Sequence, residues 1–304
     1  MKNGASPSKM RGLSLVEVMV SVVIGLVVVG AVLVSYLSSG KTTRQQAAYA
    51  EMHENAQLAL TLLSRELLLA GYAQPTGIPV VVPPAVTVFS RTFSGRAVFG
   101  CDGNFDAPNK KASAGDVVCA SPAAGKPSLE VSYEADVTNT VPIPVSGSPD
   151  SPSDCKGSQI RPAAGTVSGV DFFITHNRFF LQTGTGGRSE LYCASSTQDS
   201  AGQPVSAEPL VDNVDDMKIW YGEANAANPR QIVRYVTAGN VSDWTRIVSV
   251  RVCLLMRSGD PVLDTELTAT PKYLDCDSVE QDLPDRNLRR AYFSTTTLRN
   301  KMAF

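Results

Sequence analysis

Histidine is scarce in this chain of 304 residues, with only His53 and His176, which lie far apart. Neither belongs to an H-x-x-x-H pair, so the zinc sites that such pairs form are excluded. No G-x-S-x-G elbow occurs, and GTGGR at residues 184–188 lacks the lysine of a phosphate-binding loop and is read as a glycine turn. We therefore expect no catalytic residue, no bound metal or cofactor, and a protein that is not an enzyme.

An excess of positive charge is also missing, since the formal net charge is -2. The basic cluster near the end, Arg286, Arg289 and Arg290, is accompanied by no aromatic residues beyond Tyr292 and Phe293. Such a cluster is typical of a solvated strand edge, whereas nucleic-acid surfaces combine many cations with stacking rings. Nucleic acid is therefore not an expected partner.

Two acidic segments have some of the composition of calcium sites but lack the spacing. Asp102, Asn104 and Asp106 alternate like the opening of an EF-hand loop, but Ala107 stands where that loop needs glycine. A polar turn is the favoured interpretation. The segment LDCDSVEQDLPD at residues 274–285 is likewise read as a solvated loop.

Long apolar stretches are confined to the front of the chain. From Leu13 to Leu37 the only ionisable side chains are Glu17 and Tyr36. At about 1.5 Å per residue this run makes roughly 37 Å of helix, enough to cross a hydrocarbon core of about 30 Å with tilt. Three cations and no acidic residue precede it, so we expect a cytoplasmic N-terminus, with everything after Leu37 on the outer side of the membrane.

Cysteine occurs six times, never in a C-x-x-C pair and only beyond the apolar run. An even number on the outer side of a membrane predicts disulfides in an oxidising compartment. Six cysteines allow 15 pairings, and we prefer the sequential one because short loops close at the lowest entropic cost. The six candidates are Cys101, Cys119, Cys155, Cys193, Cys253 and Cys276.

A short motif stands at the start of the apolar run. The segment RGLSLVEVM at residues 11–19 places Gly12 before the run and Glu17 five residues later, whereas a secretory signal peptide has its small residue after the run. This arrangement resembles type IV prepilins and type II secretion pseudopilins. The resemblance implies removal of the basic leader, residues 1–12, by a prepilin peptidase that cuts between Gly12 and Leu13, N-methylation of Leu13, and an assembly role for Glu17.

Glu17 needs a partner on physical grounds too. An unpaired carboxylate within a membrane span costs a few kcal/mol, so such a residue predicts a functional site. Cleavage after Gly12 would create the α-amine of Leu13, and pairing with that amine on a neighbouring subunit would set the stagger between subunits. The alternative is that Glu17 lies near the lipid headgroups and extends towards water.

A second helical pattern follows the membrane segment, at residues 38–71. Steps of three and four residues define one apolar face, and Gly71 is a plausible C-cap. We expect this face to pack on a sheet, with a coiled-coil seam as the alternative. Its members are Tyr49, Met52, Ala56, Ala59, Leu60, Leu63, Leu67 and Ala70.

Beyond the helix the pattern becomes that of β-structure, so the fold class predicted is α+β. A long N-terminal membrane-spanning helix would pack on a mostly antiparallel, β-rich head at residues 72–304. Residues 74–88 predict an extended connector with an edge strand. Strand-like runs begin at residues 116, 128, 170, 189, 217, 230, 246 and 290.

Two local features of the head are predicted from composition. His176 and Asn177 interrupt an apolar run and are expected to form a tight hairpin turn, because asparagine tolerates positive φ. Residues 138–169 contain little to bury and are expected to form a long surface loop, tied down at Cys155.

The C-terminal part resembles a narrower family. The segments VDNVDDMKIWYG, VSVRVCLLMRS and RRAYFSTTTLRN are similar to those of PilW-type minor pilins of the type IV pilus. The resemblance implies an inner-membrane protein with a periplasmic head, which joins other minor pilins and the major pilin, primes pilus assembly and is carried to the pilus tip. Two alternatives are a minor pseudopilin of type II secretion and a pilus-tip adhesin that binds its ligand through the unmatched residues 75–205.

Overall fold

The computed structural model describes residues 14–73, 80–82, 86–88, 93, 95–107, 117–121, 124–160, 173–195, 206–263 and 270–301. Within these ranges the chain forms one α-helix, thirteen strands and three short 3-10 helices. The 3-10 helices are Ala238–Asn240, Trp244–Arg246 and Arg299–Lys301. The prediction of a long helix followed by an antiparallel β-rich head is confirmed.

Helix α1 is continuous over Leu15–Leu69 and, with 55 residues, is about 80 Å long. Its two halves have different surroundings. Every large apolar side chain from Leu15 to Leu37 is at least 45% exposed, whereas the residues buried in the head begin at Ala48. The head therefore covers only the second half of the helix, and the apolar first half extends beyond it.

The end of α1 is fixed by two contacts that are distant in sequence. Gly71 takes a positive φ of 72°, which a residue with a side chain rarely adopts, and its N–H donates to the carbonyl of Ser132 at 2.9 Å. The side-chain amide of Asn300 donates to the carbonyls of Leu68 and Ala70 at 3.0 and 3.4 Å. The C-terminal 3-10 helix thus satisfies carbonyl groups that α1 leaves open.

Two antiparallel sheets make up most of the head. The five-stranded sheet has the order β3-β4-β5-β6-β7, with strands β3 (Val98–Cys101), β4 (Ser128–Ala135), β5 (Phe173–Thr183), β6 (Ser189–Ser195) and β7 (Glu208–Val211). The four-stranded sheet has the order β13-β10-β8-β9, with β8 (Val214–Ala224), β9 (Ile232–Val236), β10 (Ile247–Arg257) and β13 (Arg289–Thr297).

Two hairpins complete the described strands. Strands β1 (Val80–Val82) and β2 (Val86–Val88) pair within the proline- and valine-rich connector, where an edge strand was expected. Strands β11 (Lys272–Leu274) and β12 (Glu280–Asp282) form the second hairpin, which overlaps the acidic segment at residues 274–285 where a solvated loop was expected.

The core lies between α1 and the inner faces of both sheets. The helix packs against β4, β7, β10 and β13, as the amphipathic pattern predicted. Met52, Ala56, Leu63 and Leu67 are all at most 1% exposed, whereas Tyr49, which the pattern placed on the same face, is 44% exposed. Burial of these aliphatic side chains supplies the main driving force that attaches the helix to the head.

The predicted turn at His176 and Asn177 is wrong. Both residues lie inside β5, at 4% and 0% exposure, and the chain turns instead at residues 184–188, where the N–H of Gly184 donates to the carbonyl of Arg188 at 2.8 Å. The two polar side chains fit in a strand because each meets a polar partner. Ser132 Oγ lies 2.6 Å from His176 Nδ1, and Asn177 donates to Glu66.

The segment expected to be a surface loop is partly buried. Within the described residues 138–160 it forms isolated bridges, and Ser153 and Asp154 are 2% and 7% exposed. Ile160, at 2% exposure, joins the main core. The expected tie is present as a disulfide between Cys155 and Cys193 on β6.

The two other disulfides also join sequential cysteines. Cys101 pairs with Cys119, and Cys253 of β10 pairs with Cys276 between β11 and β12. All six cysteines are bonded. The last bond fastens the β11–β12 hairpin to the outer face of the four-stranded sheet, where Trp220 and Tyr273 pack around it.

Candidate functional site

The first candidate site is the start of α1. Gly12 and Leu13, the predicted cleavage and methylation positions, lie outside the described residues. Ser14 is the N-cap, and its carbonyl accepts the N–H of Val18 at 3.2 Å. Glu17 lies in the first turn and is exposed. A carboxylate is favoured at this position because the first N–H groups of a helix carry partial positive charge.

The surroundings of Glu17 explain why it is a candidate for assembly. The part of α1 from Leu15 to Leu37 touches none of the head's core, and it is long and apolar enough to cross a membrane. Glu17 and Tyr36 are the ionisable residues in that part. A group that pairs with the Glu17 carboxylate within the bilayer must therefore come from the chain's own start or from another molecule.

A second candidate site lies where α1 meets the head, at Glu66. Oε2 of Glu66 accepts hydrogen bonds from the Tyr133 hydroxyl at 3.1 Å and from the Asn177 side-chain amide at 2.7 Å. Asn177 is held in turn by the Thr175 hydroxyl, which donates to its Oδ1 at 2.9 Å. Three segments that are far apart in sequence thus meet at one carboxyl group.

Burial dominates the electrostatics of this group. It raises the pKa of the Glu66 carboxyl above its ordinary value, although the hydrogen bonds from Asn177 and Tyr133 and the charge of Arg65 act in the opposite direction. The negative charge of Asp154 raises the pKa further. Burial and the neighbouring Glu66 likewise raise the pKa of the Tyr133 hydroxyl, so this phenol stays protonated and remains a donor.

Glu66 was not predicted as a site residue, although the sequence contains a signal for it. Glu66 follows Leu63 by three residues and precedes Ala70 by four, so it falls on the apolar face of the helix. A charged residue on such a face is buried on folding and needs polar partners. The identity of these partners, Tyr133 and Asn177, was not readable from the helix.

In both acidic segments, aspartate carboxylates accept hydrogen bonds from backbone N–H groups. The carboxylate of Asp102 accepts the N–H groups of Ala238 and Gly239 at 2.8 and 2.9 Å, so it caps a 3-10 helix. Asp275 Oδ1 accepts the N–H groups of Asp277 and Val279 within its own turn, both at 2.9 Å. Among the described residues, no group of three or more His, Cys, Asp or Glu side chains is placed to hold a metal ion.

The C-terminal arginines do not form an open basic patch as a group. Arg289 is paired with Asp215 and Asp285, with N–O distances of 2.6 Å to each, and its side chain is 6% exposed. Hydrogen bonding from Arg289 is the main cause that lowers the pKa of Asp285 to about 2. Arg290 stacks over the ring of Tyr292, 5.6 Å from its centroid.

Comparison with known proteins matches two parts of the chain. A model of the prokaryotic N-terminal methylation motif matches residues 7–33, which include Gly12, Leu13 and Glu17. A model described as type IV pilus-assembly protein W matches residues 178–300, from within β5 to the last 3-10 helix. The chain carries a PilW domain behind a methylation motif. No curated protein matches it.

The PilW domain contains the whole four-stranded sheet and its disulfide-bonded hairpin, together with β6, β7 and most of β5. The methylation motif and the exposed apolar half of α1 indicate that the chain is anchored in a membrane. Over these two parts the chain is similar to type IV pilus proteins.

A type IV-like pilin from Thermus thermophilus is among the solved structures to which the chain is similar. The match has 13% sequence identity and covers 82% of this chain and 96% of that one, with a TM-score of 0.36. The fold described above rests on this chain's own elements.

Proposed function

We propose that this protein is a minor pilin of the type IV pilus. In this proposal α1 anchors it in the inner membrane with the N-terminus in the cytoplasm and the head in the periplasm. It joins other minor pilins, primes polymerisation of the major pilin and is carried to the filament tip.

The observation that supports this function best is the division of α1. One half is apolar and uncovered with a single carboxylate, Glu17, near its start, and the other half is packed into a disulfide-bonded head. A helix of this kind can leave the bilayer and pack against the apolar helices of other pilus subunits without any change in the head. The PilW match supports a role in a pilus over one in secretion.

Processing of the leader is part of the proposal. Prepilin peptidase is proposed to cut between Gly12 and Leu13, after which Leu13 is N-methylated and its α-amine can pair with Glu17 of a neighbour. Gly12→Ala should leave an unprocessed precursor, detected by intact mass and by its missing N-methyl group, because the added methyl obstructs the peptidase. Ala5→Gly, within the leader but away from the junction, is the control. Processing of Gly12→Ala at the wild-type rate would contradict the assignment.

The function is tested by deleting the gene and counting surface pili by electron microscopy, while exported proteins are assayed in the same strain. Lost pili with normal secretion, restored by the intact gene, is the result expected. Normal pili with lost secretion would replace the proposal with a minor pseudopilin. Normal pili and normal secretion with lost attachment to surfaces would replace it with a tip adhesin.

A further inference from the structure

A cavity of about 210 Å³ opens between α1 and the head beside Glu66. We call it the Glu66 pocket. Its walls come from α1, β4, β5, β7 and the loops at residues 139–141 and 153–157. Its lining includes Leu62, Glu66, Tyr133, Asp154, Phe179 and Leu210.

The carboxyl group of Glu66 has one occupied oxygen and one open oxygen. Both of its hydrogen bonds, from Tyr133 and Asn177, go to Oε2. Oε1 accepts no hydrogen bond from the described residues. It is not among their fully buried polar atoms, and Glu66 lines the pocket. A carboxyl group on the wall of a cavity, with one oxygen that accepts no hydrogen bond, can accept one from a donor that enters from outside.

Two carboxyl groups, Glu66 and Asp154, and one cation, Arg65, line the pocket, so its net charge favours a cation when both carboxyl groups are ionised. The negative charge of Asp154 raises the pKa of Glu66, although by less than the charge of Arg65 lowers it. Arg65 is a cation whose charge acts on the Glu66 carboxyl, but its Nη2 donates to the carbonyl of Asn139 at 3.5 Å. No ion pair within 4.0 Å joins Arg65 to Glu66 in the described structure. The chain's own cation therefore leaves the position beside Oε1 open.

The size and walls of the pocket select the kind of cation. Pockets for cofactors and drug-sized ligands occupy roughly 300–1,000 Å³, so this one suits a single side chain. Leu62, Phe179 and Leu210 provide apolar walls for an aliphatic stem. A guanidinium group prefers both oxygens of a carboxylate, whereas an ammonium group is a point charge that one oxygen can satisfy. Because Oε2 is already used twice, an alkylammonium group fits better.

We propose that the Glu66 pocket receives the lysine side chain of a neighbouring pilus subunit. The ammonium group donates to Oε1 of Glu66 while the aliphatic stem lies between the apolar walls. The pocket opens beside the half of α1 that carries the head, so an occupied pocket would fix one head against its neighbour. This inference rests on the proposed function for the identity of the partner, but the chemistry of the pocket does not depend on it.

The chemistry is tested on the full-length protein in detergent micelles, with n-butylammonium as the probe. The ¹³C-carboxyl resonance of Glu66, identified by its absence in Glu66→Gln, should shift saturably with n-butylammonium and not with n-butanol or with NaCl at equal ionic strength. Binding should weaken by about tenfold for each pH unit below the carboxyl pKa, because only the ionised group attracts the cation. The groups that face it are Arg65, Tyr133 and Asp154.

Three variants distinguish binding of n-butylammonium in the pocket from nonspecific binding elsewhere on the protein. Glu66→Gln should abolish binding of n-butylammonium, followed on the probe's own resonances, while Glu54→Gln, on an exposed turn of the same helix, should not. Val141→Trp should block the mouth, since Val141 lines it and is 59% exposed, without altering the carboxyl or the melting temperature. No saturable shift in the wild type at any pH, or an equal shift with n-butanol, would overturn the proposal.

The partner is tested in cells with an aliphatic diazirine amino acid at Val141, which is close to leucine in size and leaves the mouth of the pocket open, unlike Val141→Trp. Mass spectrometry should identify a lysine-containing peptide of another pilus subunit, and the crosslink should be lost with Glu66→Gln but retained with Glu54→Gln. Crosslinks to lipid alone, no subunit peptide, or a subunit crosslink unchanged by Glu66→Gln would each overturn the partner. Failure of the proposed function appears separately, as normal piliation of the deletion strain while the purified protein still binds n-butylammonium.

Discussion

Buried polar side chains beneath α1 are matched with partners from distant segments. Asn177 is fully buried, and it donates to Glu66 while its own oxygen accepts from Thr175. Because of these hydrogen bonds, a polar side chain can be buried in a strand. A buried donor or acceptor without a partner would cost about 1–3 kcal/mol. At the scale of single residues, polar matching decides where Asn177 lies, and the conformational preference of asparagine for turns does not.

Glu66→Gln should change the pH dependence of stability. Burial raises the pKa of Glu66, so its neutral form is favoured by folding. The neutral Glu66 carboxyl contributes its full stabilisation below the ordinary glutamate pKa. This stabilisation is lost as the pH rises through the pKa that Glu66 has in the folded protein. The unfolding free energy of the wild type, relative to Glu66→Gln, should therefore fall as the pH rises above the ordinary glutamate pKa. Urea unfolding followed by tryptophan fluorescence measures it, with Glu54→Gln as the control. A pH-independent difference would contradict the raised pKa.

Glu17→Ala should reduce piliation by more than tenfold while cleavage and membrane insertion continue. Loss of even about 1.4 kcal/mol of pairing energy changes an equilibrium tenfold, and an ion pair within the bilayer is worth at least that. The measurement combines the intact mass of the processed chain with pilus counts. Ser21→Ala is the matched control, since within the described residues the Ser21 hydroxyl donates to the carbonyl of Val18 on its own helix. Unchanged piliation in Glu17→Ala would remove the proposed role.

At the scale of elements, the two halves of α1 are stabilised by different interactions. Its exposed half depends on lipid or on neighbouring helices, since the head does not cover it. Its second half is held by burial of Met52, Leu63 and Leu67 and by the Asn300 cap at its end. Substitutions in the second half should therefore change the stability of the head, whereas substitutions in the exposed half should not.

Leu63→Ala should destabilise the head by about 2–5 kcal/mol, because it removes a side chain that is 1% exposed and leaves a cavity. Leu58→Ala on the same helix should cost roughly 0.5 kcal/mol or less, since Leu58 is 49% exposed. Urea unfolding of the full-length protein, monitored by near-ultraviolet circular dichroism, compares the two. Equal effects would mean that the helix does not pack through this face.

At the scale of the whole molecule, disulfides fasten peripheral segments to the two sheets. Cys155 holds the loop to β6, and Cys253 holds the β11–β12 hairpin to β10. These segments bury less apolar surface than the central strands, so a crosslink that limits the unfolded chain contributes more to their order.

Peptide mapping without reduction should recover the three sequential pairs and no free thiol. Replacing both Cys253 and Cys276 by serine should lower stability by about 3 kcal/mol, as expected for a loop of this length. The hairpin should then become accessible to proteases while the sheets stay folded. Two or more alkylatable cysteines in the wild type, or a crossed pair, would contradict this arrangement.

Several features follow from sequence patterns because they depend on local periodicity. The apolar run, the stripe on the second half of α1 and the strands that begin near residues 128, 189, 217 and 246 are confirmed for this reason. Strands β3, β7, β11 and β12 are three or four residues long, too short to carry a pattern, and were not predicted. The start of the motif at Gly12 and Leu13 remains a prediction.

The sequence by itself determined the division of the chain into an apolar helix and a β-rich head, because hydrophobicity and its period are properties of neighbouring residues. Only the tertiary structure decided where Glu66, Tyr133 and Asn177 meet and why residues 176 and 177 continue a strand. Those outcomes depend on hydrogen bonds and burial between segments 44 to 111 residues apart. No local pattern records such partners, so the Glu66 pocket becomes visible only when the chain is folded.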